Sequence, residues 1–225
     1  MSVILDFLID FIFPKFCVIC DREGAFLCRK CKKNLSSALQ VCPMCTRPSI
    51  YGLTHEYCRK KFGMDGVLSI FDYRNEGVKK VVEAIKFGFN KELVPIVLSG
   101  FRKPSNWGKR VVLVPVPLHR YRENWRGFNQ AEVIARLMAG KKVSVVSALR
   151  RIKATKQQAN ITDRRARVEN IRGSFQIEKG MKKELMGKKV ILVDDVFTSG
   201  ATSRECAKEL KKVGVKQVWG LVLAR

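Results

Sequence analysis

The sequence predicts an α/β protein, a doubly wound parallel sheet preceded by a small cysteine-rich module. Three observations carry this. From about residue 66 onward, apolar runs of strand length alternate with amphipathic helical runs, the order that gives a parallel sheet. Seven of the eight cysteines lie before residue 60. The segment 15–60 has too few large apolar residues for a core of its own, so something else must hold it. A length of 225 residues suits one ordinary domain plus a small one. The expected divisions are an amphipathic N-terminal helix over 1–14, a metal module over 15–62 and a ligand-binding domain over 63–225.

Val3, Ile4, Phe7, Leu8 and Phe11 recur at helical spacing and the pattern stops at Pro14. Asp6 and Asp10 interrupt the run, and it has neither a basic leader nor a small-residue cleavage site, so it reads poorly as a signal peptide. It is expected to dock on the rest of the protein, with a membrane-surface helix as the alternative. No stretch reaches the ~18 consecutive apolar residues of a membrane span. The expected location is the cytoplasm, with a peripheral place at the inner membrane face left open.

In the second part, Val67–Tyr73 reads as a strand and Glu76–Phe87 as a helix with Val78, Val81, Val82 and Ile85 on one face. Glu92–Phe101 continues helically. Arg110–Val116 is a buried strand, Asn129–Met138 a helix and Val143–Leu149 a strand. Residues 150–172 are polar and strongly basic. Lys189–Val193 is a strand, Ala201–Val213 a helix and Gln217–Leu223 a last strand.

Cys17 and Cys20, Cys28 and Cys31, Cys42 and Cys45, and His55 and Cys58 form four pairs with two residues between partners. Such a turn lets two ligands reach one tetrahedral zinc ion, with Zn–S near ~2.3 Å. Eight ligands make two sites. Neighbouring pairs are favoured over a cross-braced arrangement, though spacing alone does not decide. Every pair is complete, so both sites read as structural rather than catalytic. Disulfides are the alternative, set aside because no export signal is evident. Cys206, far away in a helical pattern, reads as packed.

The stretch Val190–Thr202 runs an apolar strand into Asp194 and Asp195, then a short hydroxyl-rich turn, then a helix. Open α/β sheets place ligands at such strand ends. Gly200 lets backbone N–H groups approach an anion, Thr198, Ser199 and Thr202 add hydroxyls, and the helix from Ala201 aims its positive end at the same point. That is a cradle for a monophosphate. Asp194 and Asp195 would repel the phosphate but accept hydrogen bonds from ribose hydroxyls. A phosphate followed by a ribose diol is a phosphoribosyl group. No Walker-type triphosphate loop occurs.

The net charge of +24 and pI near 10.1 point to polyanionic partners, against a merely solvated basic surface as the alternative. Arg120, Arg122 and Arg126 crowd the sheet edge after Val111–Val116, where arginine forks suit pyrophosphate. Arg150, Arg151 and Arg164, within the basic stretch, would serve a lid closing over it. Trp125 and Phe128, with Arg126, Lys153, Lys156 and Arg165, could stack and grip single-stranded nucleic acid. Core packing of the aromatics is the competing reading.

Taken together, the apolar N-terminal stretch, the paired cysteines, Lys86-Phe87, Val114-Pro-Val-Pro117, Arg126-Gly-Phe-Asn-Gln130, Gln157 with Arg164, Asn170 and Phe175, and the Asp194–Thr202 motif resemble the ComF family. These are phosphoribosyltransferase-fold proteins linked to DNA uptake in natural competence. The resemblance spans nearly the whole chain. It departs at His55, where a cysteine is often expected, and at Ser199, where threonine is common. It implies a type I phosphoribosyltransferase sheet behind a double zinc ribbon. It also implies binding of 5-phosphoribosyl-1-pyrophosphate (PRPP) with Mg²⁺ bridging the pyrophosphate and ribose hydroxyls. The expected function is to bind PRPP and assist the uptake and handling of single-stranded DNA, with competence-machinery proteins as partners. Two alternatives stand beside it, an active phosphoribosyltransferase acting on a nucleobase or related amine, and a PRPP-sensing regulator or adaptor. No residue clearly reads a nucleobase, so the sequence assigns no catalytic residue.

Overall fold

Short apolar runs rich in valine, isoleucine and leucine build strands buried on both faces. In the computed structural model, which describes residues 14–87, 90–101, 110–141, 143–154 and 163–225, these runs form the sheet. The expected helix over 1–14 lies outside the described residues but for Pro14. In chain order the elements are α1 (Arg29–Lys33), a 3₁₀ turn (Ile50–Gly52), α2 (Glu56–Phe62), β1 (Gly66–Phe71), α3 (Glu76–Phe87), α4 (Leu93–Leu98) and β2 (Val111–Pro115). Then come α5 (Arg120–Arg126), α6 (Gln130–Ala139), β3 (Ser144–Val145), β4 (Leu149–Arg151) and α7 (Arg164–Ile171). The chain finishes with β5 (Phe175–Ile177), α8 (Lys182–Leu185), β6 (Lys189–Val196), α9 (Ala201–Lys212) and β7 (Gln217–Ala224).

The main sheet has five strands in the order β1-β7-β6-β2-β3, all parallel. Its side chains alternate between two cores, as a pleated strand requires. Leu113, Ile191, Val193 and Leu221 face one core with α3, α4 and α6. Val112, Val114, Val190, Leu192 and Val222 face the other with α9 and the β4–β5 pair. The four residues read as one face of α3, Val78, Val81, Val82 and Ile85, are all buried. The connection from β2 runs through α6 to β3 on one side, and that from β6 through α9 to β7 on the other. The two leave in opposite directions, opening a crevice at the carboxyl ends of β2 and β6.

Two expectations need correction, and a third gains detail. Val143–Leu149 is not one strand. Ala148 N–H donates to the Val146 carbonyl at 2.9 Å, a tight turn that takes the chain out of the main sheet. Leu149–Arg151 instead pairs antiparallel with Phe175–Ile177. The expected helix Glu92–Phe101 stops at Leu98, because Ser99 is extended and Gly100 has φ 97°. The basic stretch 150–172, expected as a polar segment serving a lid, starts as β4 and ends as α7, which Asp163 caps by accepting from Ala166 N–H at 2.6 Å.

The cysteine-rich segment is held by the sheet. Residues 36–40 run antiparallel along the outer edge of β1, with Ser37 bridging Phe71 and Ala38 N–H donating to the Ile70 carbonyl at 3.0 Å. Gln40 extends the pairing through its side chain, donating to the Ser69 carbonyl at 2.7 Å. The edge is thereby covered and cannot pair with another chain.

Candidate functional site

Two turns of the same build start the metal module. Cys17 N–H donates to Arg22 O and Asp21 N–H to Cys17 O, at 2.9 and 2.8 Å. Cys42 N–H donates to Arg47 O and Thr46 N–H to Cys42 O, at 2.9 and 3.0 Å. Asp21 and Thr46, each following its second cysteine, share a left-handed φ of 55° and 60°. Each turn faces the start of a helix, Cys28 standing at the N-cap of α1 and His55 at that of α2.

The result is two clusters, Cys17–Cys20–Cys28–Cys31 and Cys42–Cys45–His55–Cys58, with the ligand atoms in each within 4.8 Å of one another. A tetrahedron with Zn–S of ~2.3 Å has edges of ~3.8 Å. The Cys20 and Cys28 Sγ atoms are 3.9 Å apart, and Cys45 Sγ is 3.3 Å from His55 Nδ1. Both donor sets fit zinc, in neighbouring rather than cross-braced pairs, and His55 offers Nδ1 as the fourth ligand of its site.

The crevice at the carboxyl ends of β2 and β6 is a cleft of about 400 Å³. Its floor is the turn from β6 to α9. Gly200 has φ 72° at the N-cap of α9. Among the described residues, the N–H groups of Thr198, Ser199 and Gly200 donate to no carbonyl or side chain. Helical geometry gives the first-turn amides of α9 no helical partner, Ala201 N–H reaching only Ser199 Oγ at 3.4 Å, and that turn holds no acidic residue. Donors of this kind, clustered at a helix start, are an anion site.

Beside them stand Asp194 and Asp195, both partly buried. Asp195 forms an ion pair with Lys86 at 3.3 Å. Burial, and then the Asp195 charge, push the Asp194 carboxyl up to about 7, while the Asp195 N–H, Lys86 and Arg151 pull the other way. Arg126 is nearly buried, its guanidinium 5.2 Å from the centre of the Phe87 ring. Asn129 and Gln130 are buried in the same wall, where Asn129 Nδ2 donates to the Val116 carbonyl at 3.1 Å.

Residues 105–225 match the phosphoribosyl transferase domain family. The chain belongs to that family. Residues 8–60 match the double zinc ribbon domain. A double zinc ribbon ahead of a phosphoribosyltransferase domain is the ComF arrangement that the motifs resembled. The chain is 27% identical to competence protein F of Haemophilus influenzae over 88% of this chain and 90% of that one. It is 28% identical to competence protein ComFC of Bacillus subtilis, over 86% and 80%. It is 25% identical to DNA utilization protein YhgH of Escherichia coli K12, over 92% and 96%.

Of the residues expected to bind phosphate and ribose, Asp194, Asp195, Thr198, Ser199, Gly200, Ala201 and Thr202 all line the phosphoribosyltransferase cleft. Of the six arginines expected at pyrophosphate or lid, Arg126 and Arg151 line it. Arg120 is exposed on α5 and outside the lining. Arg150 points to the far side of β4, where its Nη2 donates to Gln176 at 2.9 Å. The side chains of Arg122 and Arg164 lie outside the described set, as do Lys156 and Gln157.

For the expected nucleic-acid surface, Trp125 is 55% exposed and Arg165 is exposed, whereas Phe128 is partly buried. Lys153 donates to the Arg172 carbonyl at 3.2 Å. Arg126 faces the cleft and not open surface. Arg167, one of the cations of the basic stretch expected to serve a lid, also lines the cleft, as do Tyr73 and Leu118, which sequence did not mark as ligand residues. Tyr73 and Leu118 follow the ends of β1 and β2 with no chemical pattern to mark them, and Arg167 is one cation among many in its stretch. No helix among the described residues is long and apolar enough to cross a membrane.

Proposed function

We propose that this chain binds PRPP with Mg²⁺ in the cleft and assists the handling of single-stranded DNA during uptake, acting beside competence-machinery proteins. The observation that carries the reading is the group of unspent amides at 198–200, set next to two acids that Lys86 and Arg151 partly neutralise. The amides would hold the 5-phosphate. Asp194 and Asp195 would accept the ribose hydroxyls and, with Mg²⁺, face the pyrophosphate. Arg126 and Arg151 would meet its outer oxygens. Magnesium supplies the charge that lets acids and pyrophosphate share the space. The named functions of the competence and DNA utilization relatives favour nucleic acid as the second partner. Trp125, exposed beside the cleft-lining Arg126, supplies a stacking face.

Calorimetry tests this directly, with PRPP and Mg²⁺ first and a single-stranded oligonucleotide second. Saturable PRPP binding that Asp195→Ala abolishes is expected. DNA affinity that drops steeply with salt is expected as well, because phosphate contacts release counterions. No heat with PRPP, or DNA affinity indifferent to salt, would remove the corresponding half of the reading.

A second reading, transfer of the phosphoribosyl group to a nucleobase or related amine, draws on one feature. The Phe87 ring and Leu118 line the cleft beyond the acids and offer a planar acceptor an apolar seat. Pyrophosphate release from PRPP across a panel of bases tests it, and no turnover with any base would eliminate it.

A further inference from the structure

Among the described residues the second zinc ribbon touches the phosphate turn, and the first packs into the core on the other side of the sheet. Phe62, the last residue of α2, is 3% exposed, and its ring centre lies 6.3 Å from that of Phe197. Phe197 is the residue before Thr198 and is 4% exposed. A Cβ built on Gly200 would lie 2.7 Å from Phe197 Cζ and 3.3 Å from Phe62 Cε2, so both rings press against the backbone of the turn. The other side of Phe197 is covered by Arg225, whose guanidinium sits 5.0 Å from the ring centre. Arg225 in turn donates to the carbonyl of Val41, immediately before ligand Cys42, at 3.3 Å. Arg204 closes the group, 5.6 Å over the Phe62 ring and donating to the Lys61 carbonyl at 3.1 Å.

Both halves of the second ribbon, its turn through Val41 and its helix through Phe62, therefore converge on one side chain. We infer that Phe62 and Arg225 are positioning residues for the phosphate turn, mounted on the second zinc ribbon and acting through Phe197. A turn that must present several amides to one anion works only if its backbone is held, since a displacement of about 1 Å far from the chemistry can cost ~100-fold. Its own hydrogen bonds hold it only where it enters the helix, Arg204 N–H donating to the Gly200 carbonyl at 2.9 Å and Ala201 N–H to Ser199 Oγ at 3.4 Å, while the amides of Thr198, Ser199 and Gly200 stay unspent. Packing from the ribbon supplies the constraint, as rigid support does for any preorganised site. In this arrangement the second metal serves the ligand cleft and the first serves the opposite core. The inference takes the phosphate at 198–202 from the function proposed above.

The test uses the full chain loaded with zinc, in three variants. Phe62→Ala removes the ring, Phe62→Leu keeps an apolar side chain, and Leu35→Ala removes a comparable group packed beside the first ribbon. Zinc content and melting temperature are measured for each, with PRPP·Mg²⁺ affinity by calorimetry and hydrogen exchange at amides 198–202. Phe62→Ala is expected to keep two zinc ions, lose affinity about tenfold or more, and exchange faster at 198–202. Phe62→Leu is expected to recover most of both. Leu35→Ala is expected to lower the melting temperature with affinity and local exchange unchanged. Wild-type affinity and exchange in Phe62→Ala, or an equal loss in Leu35→Ala, would overturn the inference. If the wild type binds no PRPP, the function proposed above fails, and exchange at 198–202 still decides whether Phe62 holds the turn.

Discussion

The two zinc ribbons are built alike and placed differently. Each has a cysteine turn with one left-handed residue and a helix started by a ligand. The first sends Cys17, Leu27, Cys31 and Leu35 into the core with α3 and α4. The second sends Phe62 into the core on the other side of the sheet and against the turn that forms the cleft floor. The modules differ at their last helix, α1 having 5 residues and α2 having 7. The extra length carries Phe62 beyond the metal to Phe197. A repeated metal module can thus serve stability in one copy and site geometry in the other, the difference lying in what the helix reaches.

The largest expected effect comes from removing one ligand of each site. Cys17→Ser and Cys58→Ser should each lose one zinc by metal analysis, forfeiting much of the ~10–16 kcal/mol of apparent binding that supports such a site. Only Cys58→Ser should also speed exchange at amides 198–202. If both variants do so, the ribbons are not distinct in role.

An acid beside the first ribbon and an acid of the cleft titrate in opposite senses. Asp72, whose N–H donates to Ser36 beside the first ribbon, is held below the usual carboxylate range by the Arg74 fork. Its contribution is present above the ordinary value of 3.8 and disappears as pH falls. Asp194 lies above that value, at about 7. The folded state therefore keeps a proton that the unfolded chain has released between about pH 4 and 7. From this group stability is greatest below pH 4 and falls as pH rises to 7, by at most ~1.4 kcal/mol per unit. Asp194→Asn should flatten that slope in denaturant melts across this range. Affinity for PRPP·Mg²⁺ should run the other way, rising through pH 7 as Asp194 ionises.

Glycines at the two contacts offer a milder comparison. Gly200→Ala places a Cβ against Phe197 at φ 72° and should cost about 1–3 kcal/mol, read from the melting temperature, together with a loss of PRPP affinity. Gly77→Ala, where the first ribbon meets α3, would find the end of the Ile19 side chain at 3.2 Å and the Asn75 Oδ1 at 3.1 Å. The end of Ile19 can move, whereas Asn75 is fixed by accepting from Val78 N–H and donating to the Asn34 carbonyl and Ser36 Oγ, so the effect should be about 1 kcal/mol and leave affinity unchanged. The smallest effect belongs to Arg204→Met, which removes a partly exposed cation–π contact with Phe62 worth ~0.5–1 kcal/mol.

Much of the cleft was legible because its parts are local. Residues 194–202 are adjacent in the chain, and a strand end, a glycine and a helix start specify their geometry with little outside help. The pairs of cysteines are local in the same way. The arginines were less legible, since of the expected ones with described side chains Arg126 and Arg151 line the cleft and Arg120 and Arg150 do not. Charge alone does not tell which side of a strand or helix a residue occupies. Arg150 and Arg151 are neighbours on β4, yet the pleat sends one to Gln176 and the other to the cleft. The break in Val143–Leu149 was hidden for a related reason. No glycine or proline separates β3 from the start of β4 at Leu149, and only pairing partners decide where one sheet ends.

By itself the sequence determined the main alternation of strands and helices, the four ligand pairs and the strand–glycine–helix turn at 194–202, because periodicity, ligand spacing and turn chemistry act between residues a few positions apart. Only the tertiary structure decided which metal ligands share a site and which arginines enter the cleft. It also decided that Phe62 and Arg225 meet on Phe197. Those choices rest on packing between side chains far apart in the chain, where shape and burial select the partners and no local pattern records them.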